Sequence, residues 1–360
     1  MMRLITITGL LLLAGFAEAK GLPEIRLPDG FRIEVAIDGV PDARSMALGD
    51  QGTLFIGTRR SGRVYAVTDR DGDGRFDPPR VLLHGLRMPN GIAYRDGALY
   101  VAENHRIVRY DRIEQQLDQP PEAVVLARLP SETHHGWRYL AFGPGDRLYV
   151  AIGAPCNSCS EPGYGTIIRM RADGSERQVM AEGVRNSVGF DWQPDSGVLW
   201  FSDNGRDWLG DDLPADELNR APEPGLHFGY PYCHAGDLPD PEYGAQRACS
   251  EFTPPALKLG AHVAALGVRF YSGEQFPADY RGQLFIAEHG SWNRTVPDGY
   301  RIGLARIEGD RVIDYSLFAE GWLSADGVSG RPVDLLVMPD GALLVSDDHA
   351  GVVYRITYTP

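Results

Sequence analysis

One short pattern recurs six times along this chain and constrains its fold more than any other feature. Thr53-Leu54-Phe55-Ile56-Gly57, Ala98-Leu99-Tyr100-Val101-Ala102 and Arg147-Leu148-Tyr149-Val150-Ala151 come first. Val198-Leu199-Trp200-Phe201-Ser202, Gln283-Leu284-Phe285-Ile286-Ala287 and Ala342-Leu343-Leu344-Val345-Ser346 follow. Each lies behind a turn rich in Gly, Asp or Pro, such as Gly49-Asp50-Gln51-Gly52 or Pro339-Asp340-Gly341. Ahead of each turn is another short apolar strand, as at 91–94, 139–142 and 334–337. After most comes a third, as at 63–67, 106–110, 166–170 and 352–358. Strand clusters recurring every 45 to 59 residues are the signature of propeller blades. The chain is therefore expected to be all-β, a six-bladed β-propeller. A long, Pro-rich loop insertion at about 203–260 accounts for the wide gap in blade 4, and an N-terminal strand at 31–37 completes the last blade.

The first nineteen residues read differently. Arg3 precedes an apolar stretch from Leu4 to Phe16, and Ala17-Glu18-Ala19 has the small-x-small form of a signal-peptide cleavage site. The expected organisation is a signal peptide at 1–19 and one propeller domain at 20–360, periplasmic or secreted, with no membrane span. In an oxidising compartment Cys156–Cys159 and Cys233–Cys249 are expected as two local disulfides. A redox-active reading of Cys156-Asn157-Ser158-Cys159 is disfavoured, because no helix follows to lower a thiol pKa. A net charge of −14 excludes nucleic acid as a partner.

The repeat also locates a site. In a propeller the residues entering each innermost strand form a ring at the channel mouth, whatever their separation in sequence. They are Arg44, Asn90, His135, Arg185 with Asn186, His262 and Arg331. A single Arg or His in such a loop is ordinarily solvated. A wholly polar ring with three arginines in an acidic protein points instead to an anionic, multidentate ligand. His135 and His262 add groups that exchange protons near neutral pH, while His134 shapes the wall. Loops leaving the second strands open on the same face. They carry Asp203-Asn204-Gly205-Arg206-Asp207, which suits a hard cation, then Glu288 to Arg294, in which Trp292 offers a flat apolar surface, then Asp347-Asp348-His349. Separately, Asp69, Asp71 and Asp73 have the D-x-D-x-D-G spacing of a calcium turn. The twelfth position is Arg80 rather than Glu, so a structural calcium and a solvated acidic turn both remain open.

These residues resemble a known family. His135 precedes Arg138-Tyr139-Leu140-Ala141-Phe142-Gly143-Pro144, and Gly183-Val184-Arg185-Asn186 comes next. Asp203-Asn204-Gly205, Asp216-Glu217-Leu218-Asn219, Phe228-Gly229-Tyr230-Pro231, His289 to Arg294 and Gly330-Arg331-Pro332-Val333-Asp334 complete an ordered set. The set resembles the pyrroloquinoline quinone (PQQ)-dependent soluble aldose and glucose dehydrogenases, in the sorbosone dehydrogenase-like branch. The resemblance implies a planar PQQ over the channel mouth, bound to calcium. It implies His135 as general base, Arg185 stabilising developing negative charge, and Arg185 with Asn186 on the quinone side. Arg331 falls on a carboxylate-binding arginine, and the carbonyls of Gly205 and Arg206 fall on calcium ligands. Asn90, Trp292 and Arg294 are the further cofactor-binding candidates, Arg294 standing nearest to a lysine the family carries there.

Three features depart from the glucose-oxidising members, the first being that the lysine near the quinone has no match beyond Arg294. Ala154 stands where a carboxylate orients the base, and Val333 replaces a second arginine. The implied substrate is an aldose, a sorbosone-like aldehyde or a related alcohol. Electrons would pass to a periplasmic acceptor, since no haem-attachment C-x-x-C-H is present. Two other functions fit a six-bladed propeller. A calcium-dependent lactonase would need Glu103, Asp203 and Glu288 to converge on an ion in the channel, and a non-enzymatic binding propeller would need no cofactor.

Overall fold

The computed structural model describes residues 24–360, so the signal-peptide reading at 1–19 lies outside the described residues. Six four-stranded antiparallel blades form the body. Blade 1 comprises Ala43–Leu48, Leu54–Thr58, Val64–Val67 and Arg80–Leu83, and blade 2 comprises Gly91–Arg95, Ala98–Glu103, Arg106–Tyr110 and Val124–Arg128. Leu140–Gly143, Arg147–Ile152, Thr166–Arg171 and Gln178–Glu182 make blade 3. Blade 4 is Phe190–Trp192, Leu199–Asp203, Ala215–Ala221 and Leu257–Ala261, and blade 5 is Ala265–Phe270, Leu284–Glu288, Arg301–Glu308 and Arg311–Glu320. Blade 6 takes Pro332–Val337, Leu343–Asp347 and Val352–Tyr358 from the C-terminus, and Phe31–Asp38 pairs with the last of these as its outermost strand. The first strand of every blade touches its counterparts in both neighbouring blades, so the ring is closed.

The second strands are buried along their whole length, save Arg147 at the start of that of blade 3. Neighbouring blades cover both of their faces, which is why they read as continuous apolar runs rather than as alternating ones. Core side chains group into six clusters, one between each pair of adjacent blades. Phe55 packs with Ile92 and Leu99 across blades 1 and 2, and Leu344 and Val353 meet Leu54 and Ile56 where blade 6 returns to blade 1. A smaller cluster of Val188, Leu266 and Val333, with Trp137 against it, lies among the innermost strands.

The insertion differs from its expected form. Residues 203–260 are not one irregular loop, because the third and fourth strands of blade 4 lie within them. Ala-Asp-Glu-Leu-Asn-Arg-Ala hides the third strand, since Asp216, Glu217 and Asn219 are polar yet buried. The true excursion falls between those two strands. Its segment Leu226–His227 pairs in parallel with Gln178–Glu182 and so adds a fifth strand to blade 3. Both expected disulfides, Cys156–Cys159 and Cys233–Cys249, are formed.

Candidate active site

A cavity of about 640 Å³ opens at one end of the channel. Its walls come from the loops entering the innermost strands and those leaving the second strands. Five arginines (Arg44, Arg59, Arg60, Arg185 and Arg331) line it, against two aspartates, Asp207 and Asp216. Arg44 donates from Nε to Asn90 Oδ1 at 2.8 Å and pairs with Asp348 at 2.9 Å. Asp348 also accepts from His289 Nε2 at 2.7 Å; against the upward push of burial, His289 and Arg44 hold its carboxyl well below the usual range. Arg59 lies 3.8 Å over the Trp137 ring and makes no ion pair among the described residues. Burial, then the charges of Arg44 and Arg60, pull its pKa down to about 10. Arg331 donates from Nε to the His289 carbonyl at 3.0 Å and also bonds the Gly290 carbonyl, which leaves Nη1 without a partner among the described residues. Positive charge held this way at Arg59 and Arg331, half-buried and short of counter-ions, favours an anionic ligand.

His135 sits in this wall with a left-handed backbone, φ 45°, and only 6% of its surface exposed. Its Nδ1 lies 2.9 Å from the Ala154 carbonyl oxygen. A carbonyl can only accept, so Nδ1 carries the proton and Nε2 is the free basic nitrogen. Burial, and then the charge of Arg185, push the imidazole pKa well below its ordinary value, so His135 is neutral. The absence of a carboxylate at position 154 therefore does not leave His135 unoriented, because the main chain at the same position supplies the acceptor.

Arg185 uses all five of its donors within the protein. Nη1 bonds the carbonyls of Asn204 at 3.1 Å and Gly205 at 2.7 Å, Nη2 bonds Asp207 at 2.8 Å, and Nε and Nη2 both reach Asn157. Buried Asp203 fixes the main chain beside it, accepting from the N–H groups of Arg185 at 2.8 Å and Asn186 at 2.6 Å. Asn186 Oδ1 is buried and has no hydrogen-bond partner among the described residues. Asp216, whose carboxyl burial pushes up to about 6, ties Gly205 N–H at 2.8 Å to Ala264 N–H at 2.7 Å across blades 4 and 5.

Of the residues expected from sequence, Arg44, His135, Arg185, Asn186, Gly205, His262, Trp292 and Arg331 all line the cavity. Trp292 is 63% exposed and meets Trp208 edge to face at 5.1 Å on the rim. Three expected residues lie elsewhere. Asn90 is fully buried behind Arg44, bonded to it and to the Arg138 carbonyl, because its short side chain turns under the ring. Arg206, expected to offer only its carbonyl, is not among the lining residues, and its side chain is drawn outward by ion pairs to Asp240 and Glu242 in the insertion. Arg294 bonds the carbonyls of Asp211 and Ala261 and pairs with Asp212, away from the cavity. Asp69, Asp71 and Asp73 hold carboxylate oxygens within 4.8 Å of one another on an exposed outer turn of blade 1, and share no residue with the cavity wall. Val333 packs into the small apolar cluster beside Leu266.

The three carboxylates a lactonase would need do not converge. Glu103 pairs with Arg106 at 2.5 Å, Glu288 pairs with Arg301 at 2.6 Å and Asp203 caps the 185–186 main chain. Sequence reading missed Arg59 and Arg60, although they leave the second strand of blade 1 at the register where the 203–207 and 288–294 loops were singled out. It also missed Trp137 and Asn157, which no repeat position marks.

Over residues 25–359 the chain matches the TrAA12-like family. It belongs to that family. An uncharacterised protein of Borreliella burgdorferi is 32% identical to this TrAA12-like chain over 353 residues, covering 93% of it and 91% of the relative. An aldose sugar dehydrogenase of Escherichia coli is 23% identical over 278 residues, covering 69% and 68% of the two chains. Among solved structures, the holo form of the pyranose dehydrogenase PQQ domain from Coprinopsis cinerea superposes with a TM-score of 0.80 at 20% identity, over 94% of this chain and 98% of that one. The calcium structure of a Trichoderma reesei carbohydrate-active enzyme of family AA12 gives 0.80 at 21% identity, over the same shares. These likenesses show the shared fold, and the family match agrees with the resemblance carried by the motifs.

Proposed function

We propose that this TrAA12-like protein is an exported PQQ- and calcium-dependent dehydrogenase of an aldose, a sorbosone-like aldehyde or a related alcohol, passing electrons to a periplasmic acceptor. The observation that carries this reading is uncompensated positive charge around a buried, neutral imidazole in one cavity. That combination fits a planar tricarboxylate next to a hydroxyl-bearing substrate. The relatives' printed names, an aldose sugar dehydrogenase and a pyranose dehydrogenase PQQ domain, support the same class.

The residues present fit both groups. Among the described residues Arg59 has no ion pair and Arg331 keeps Nη1 free, which suits carboxylates. The unpartnered Asn186 Oδ1, the second lone pair of the Gly205 carbonyl and the Asp207 carboxylate offer the oxygen donors a hard cation takes. When bound, PQQ supplies the two-electron acceptor and calcium the Lewis acid that activates it. The chain's own residues do the rest. His135 Nε2 takes the hydroxyl proton while the Ala154 carbonyl keeps the ring in the required tautomer. Arg185 contributes fixed positive charge beside it, and Trp292 with Trp208 forms an apolar shelf for a sugar ring.

The test is titration of the purified protein with PQQ and calcium, followed by tryptophan fluorescence, since Trp137 and Trp292 line the cavity. Dye reduction with a panel of aldoses, sorbosone and polyols comes next. Saturable quenching and cofactor-dependent turnover are expected, and His135→Ala should keep the first and lose the second. Absence of any PQQ-dependent signal in the presence of calcium overturns the reading.

A further inference from the structure

The turn closed by the Cys156–Cys159 disulfide has no task in the chemistry so far, yet it meets the site at several points. It belongs to an irregular connection between the second and third strands of blade 3, Arg147–Ile152 and Thr166–Arg171. Asn157, between the two cysteines, makes four hydrogen bonds across to blade 4. Its carbonyl accepts from Arg185 Nε at 2.9 Å. Its Oδ1 accepts from Arg185 Nη2 at 2.8 Å and from the Asp207 N–H at 2.9 Å, and its Nδ2 donates to the Asp207 carbonyl at 3.1 Å. Asp207 in turn accepts from Arg185 Nη2 and, at 2.9 Å, from Asn293 in the loop leaving the second strand of blade 5.

The same stretch grips the base. Ala154 donates its N–H to the Arg185 carbonyl at 2.8 Å while its own carbonyl accepts from His135. On the far side of the turn, Cys159 N–H donates to the Tyr230 hydroxyl at 3.0 Å. Thus one short segment holds the His135 ring, both ends of the Arg185 side chain and main chain, and the 204–207 loop. Nothing in regular secondary structure orders it. The disulfide limits the conformations the turn can sample, and so keeps Asn157 aimed at its partners.

We propose that Asn157, held in its disulfide-closed turn, is a positioning residue that sets Arg185 and the 204–207 loop as one unit against His135. The proposal rests on the cavity's being the reaction site, but its placement of the loop can be read without any ligand. Hydrogen–deuterium exchange of the unliganded protein, compared with Asn157→Ala and with Cys156→Ser/Cys159→Ser, is the first measurement. Losing a bond of ordinary strength is worth about tenfold, so amide exchange at 204–207 should rise by about that factor in Asn157→Ala, and also rise in the double variant. Peptides from blades 1, 2 and 6 should exchange as before. With PQQ and calcium present, Asn157→Ala should raise the dissociation constant for PQQ and lower kcat by a larger factor than it changes KM for the sugar, because its four bonds go to Arg185 and Asp207 and none to the Trp208 or Trp292 side chain. Unchanged exchange at 204–207, or a rise spread evenly over all blades, overturns the proposal. If the unmodified protein takes up no PQQ, the functional reading falls, and the positioning role is then judged on the exchange data alone.

Discussion

His135 is legible in the sequence because the repeat fixes its register at the channel mouth, and the same holds for Arg44, Arg185 and Arg331. What orients His135 is not legible, since the acceptor is the main-chain oxygen of Ala154 and leaves no trace in residue type. Asn90 shows the converse. It stands at the right register but spends its side chain on Arg44 and a neighbouring carbonyl. Gly153 gives a direct test of how closely His135, the proposed base, must be held. A Cβ there would stand 2.6 Å from His135 Cβ and 2.8 Å from the His135 carbonyl oxygen, neither of which can swing aside. Gly153→Ala should therefore shift the imidazole and lower kcat by about a hundredfold without removing any functional group, as steady-state dye reduction would show. The pH profile follows from the same environment. Burial and Arg185 depress the folded-state pKa, so Nε2 stays unprotonated as pH falls below 6.5, and activity is lost only as pH passes down through the lower value. The acid limb of kcat/KM should lie below 6.5, and a limb at or above that value would contradict the assignment.

Second strands announce themselves, being apolar on both faces, whereas the outer strands of the blades are quieter. Ala215–Ala221 is the extreme case. Its Glu217 is buried, with its carboxyl pushed up to about 7 by burial, and it accepts hydrogen bonds from Ala235 N–H at 2.7 Å and Asn219 at 2.8 Å. The Ala235 partner lies 18 positions on, in the excursion, so pattern alone reads the strand as loop. The excursion that follows is anchored by Cys233–Cys249, whose cysteines are 16 positions apart. A loop of this size gains about 3 kcal/mol from closure. Cys233→Ser/Cys249→Ser should open residues 222–256 to limited proteolysis while the six blades remain resistant, a difference that mass spectrometry of the fragments would reveal.

At the scale of the ring, the number of blades and the use of the first strand to close the last were both readable, because the C-terminal repeat supplies one strand too few. Phe31 docks the closing strand against blade 5, its ring lying 4.8 Å from Phe276, 5.2 Å from Tyr280 and 5.0 Å from Phe318, centre to centre. Phe31→Ala removes the middle of that cluster and should cost about 3–5 kcal/mol in chemical denaturation, with Phe31–Asp38 the first segment to lose exchange protection. Blade 3 adds a matter of timing. Its outer edge is covered by Leu226–His227, which the chain reaches only after laying down most of blade 4. A chain emerging from its N-terminus thus carries an open strand edge on blade 3 until the next blade is largely made. Chaperone protection would count most during that interval, when the edge is free to pair with a stranger.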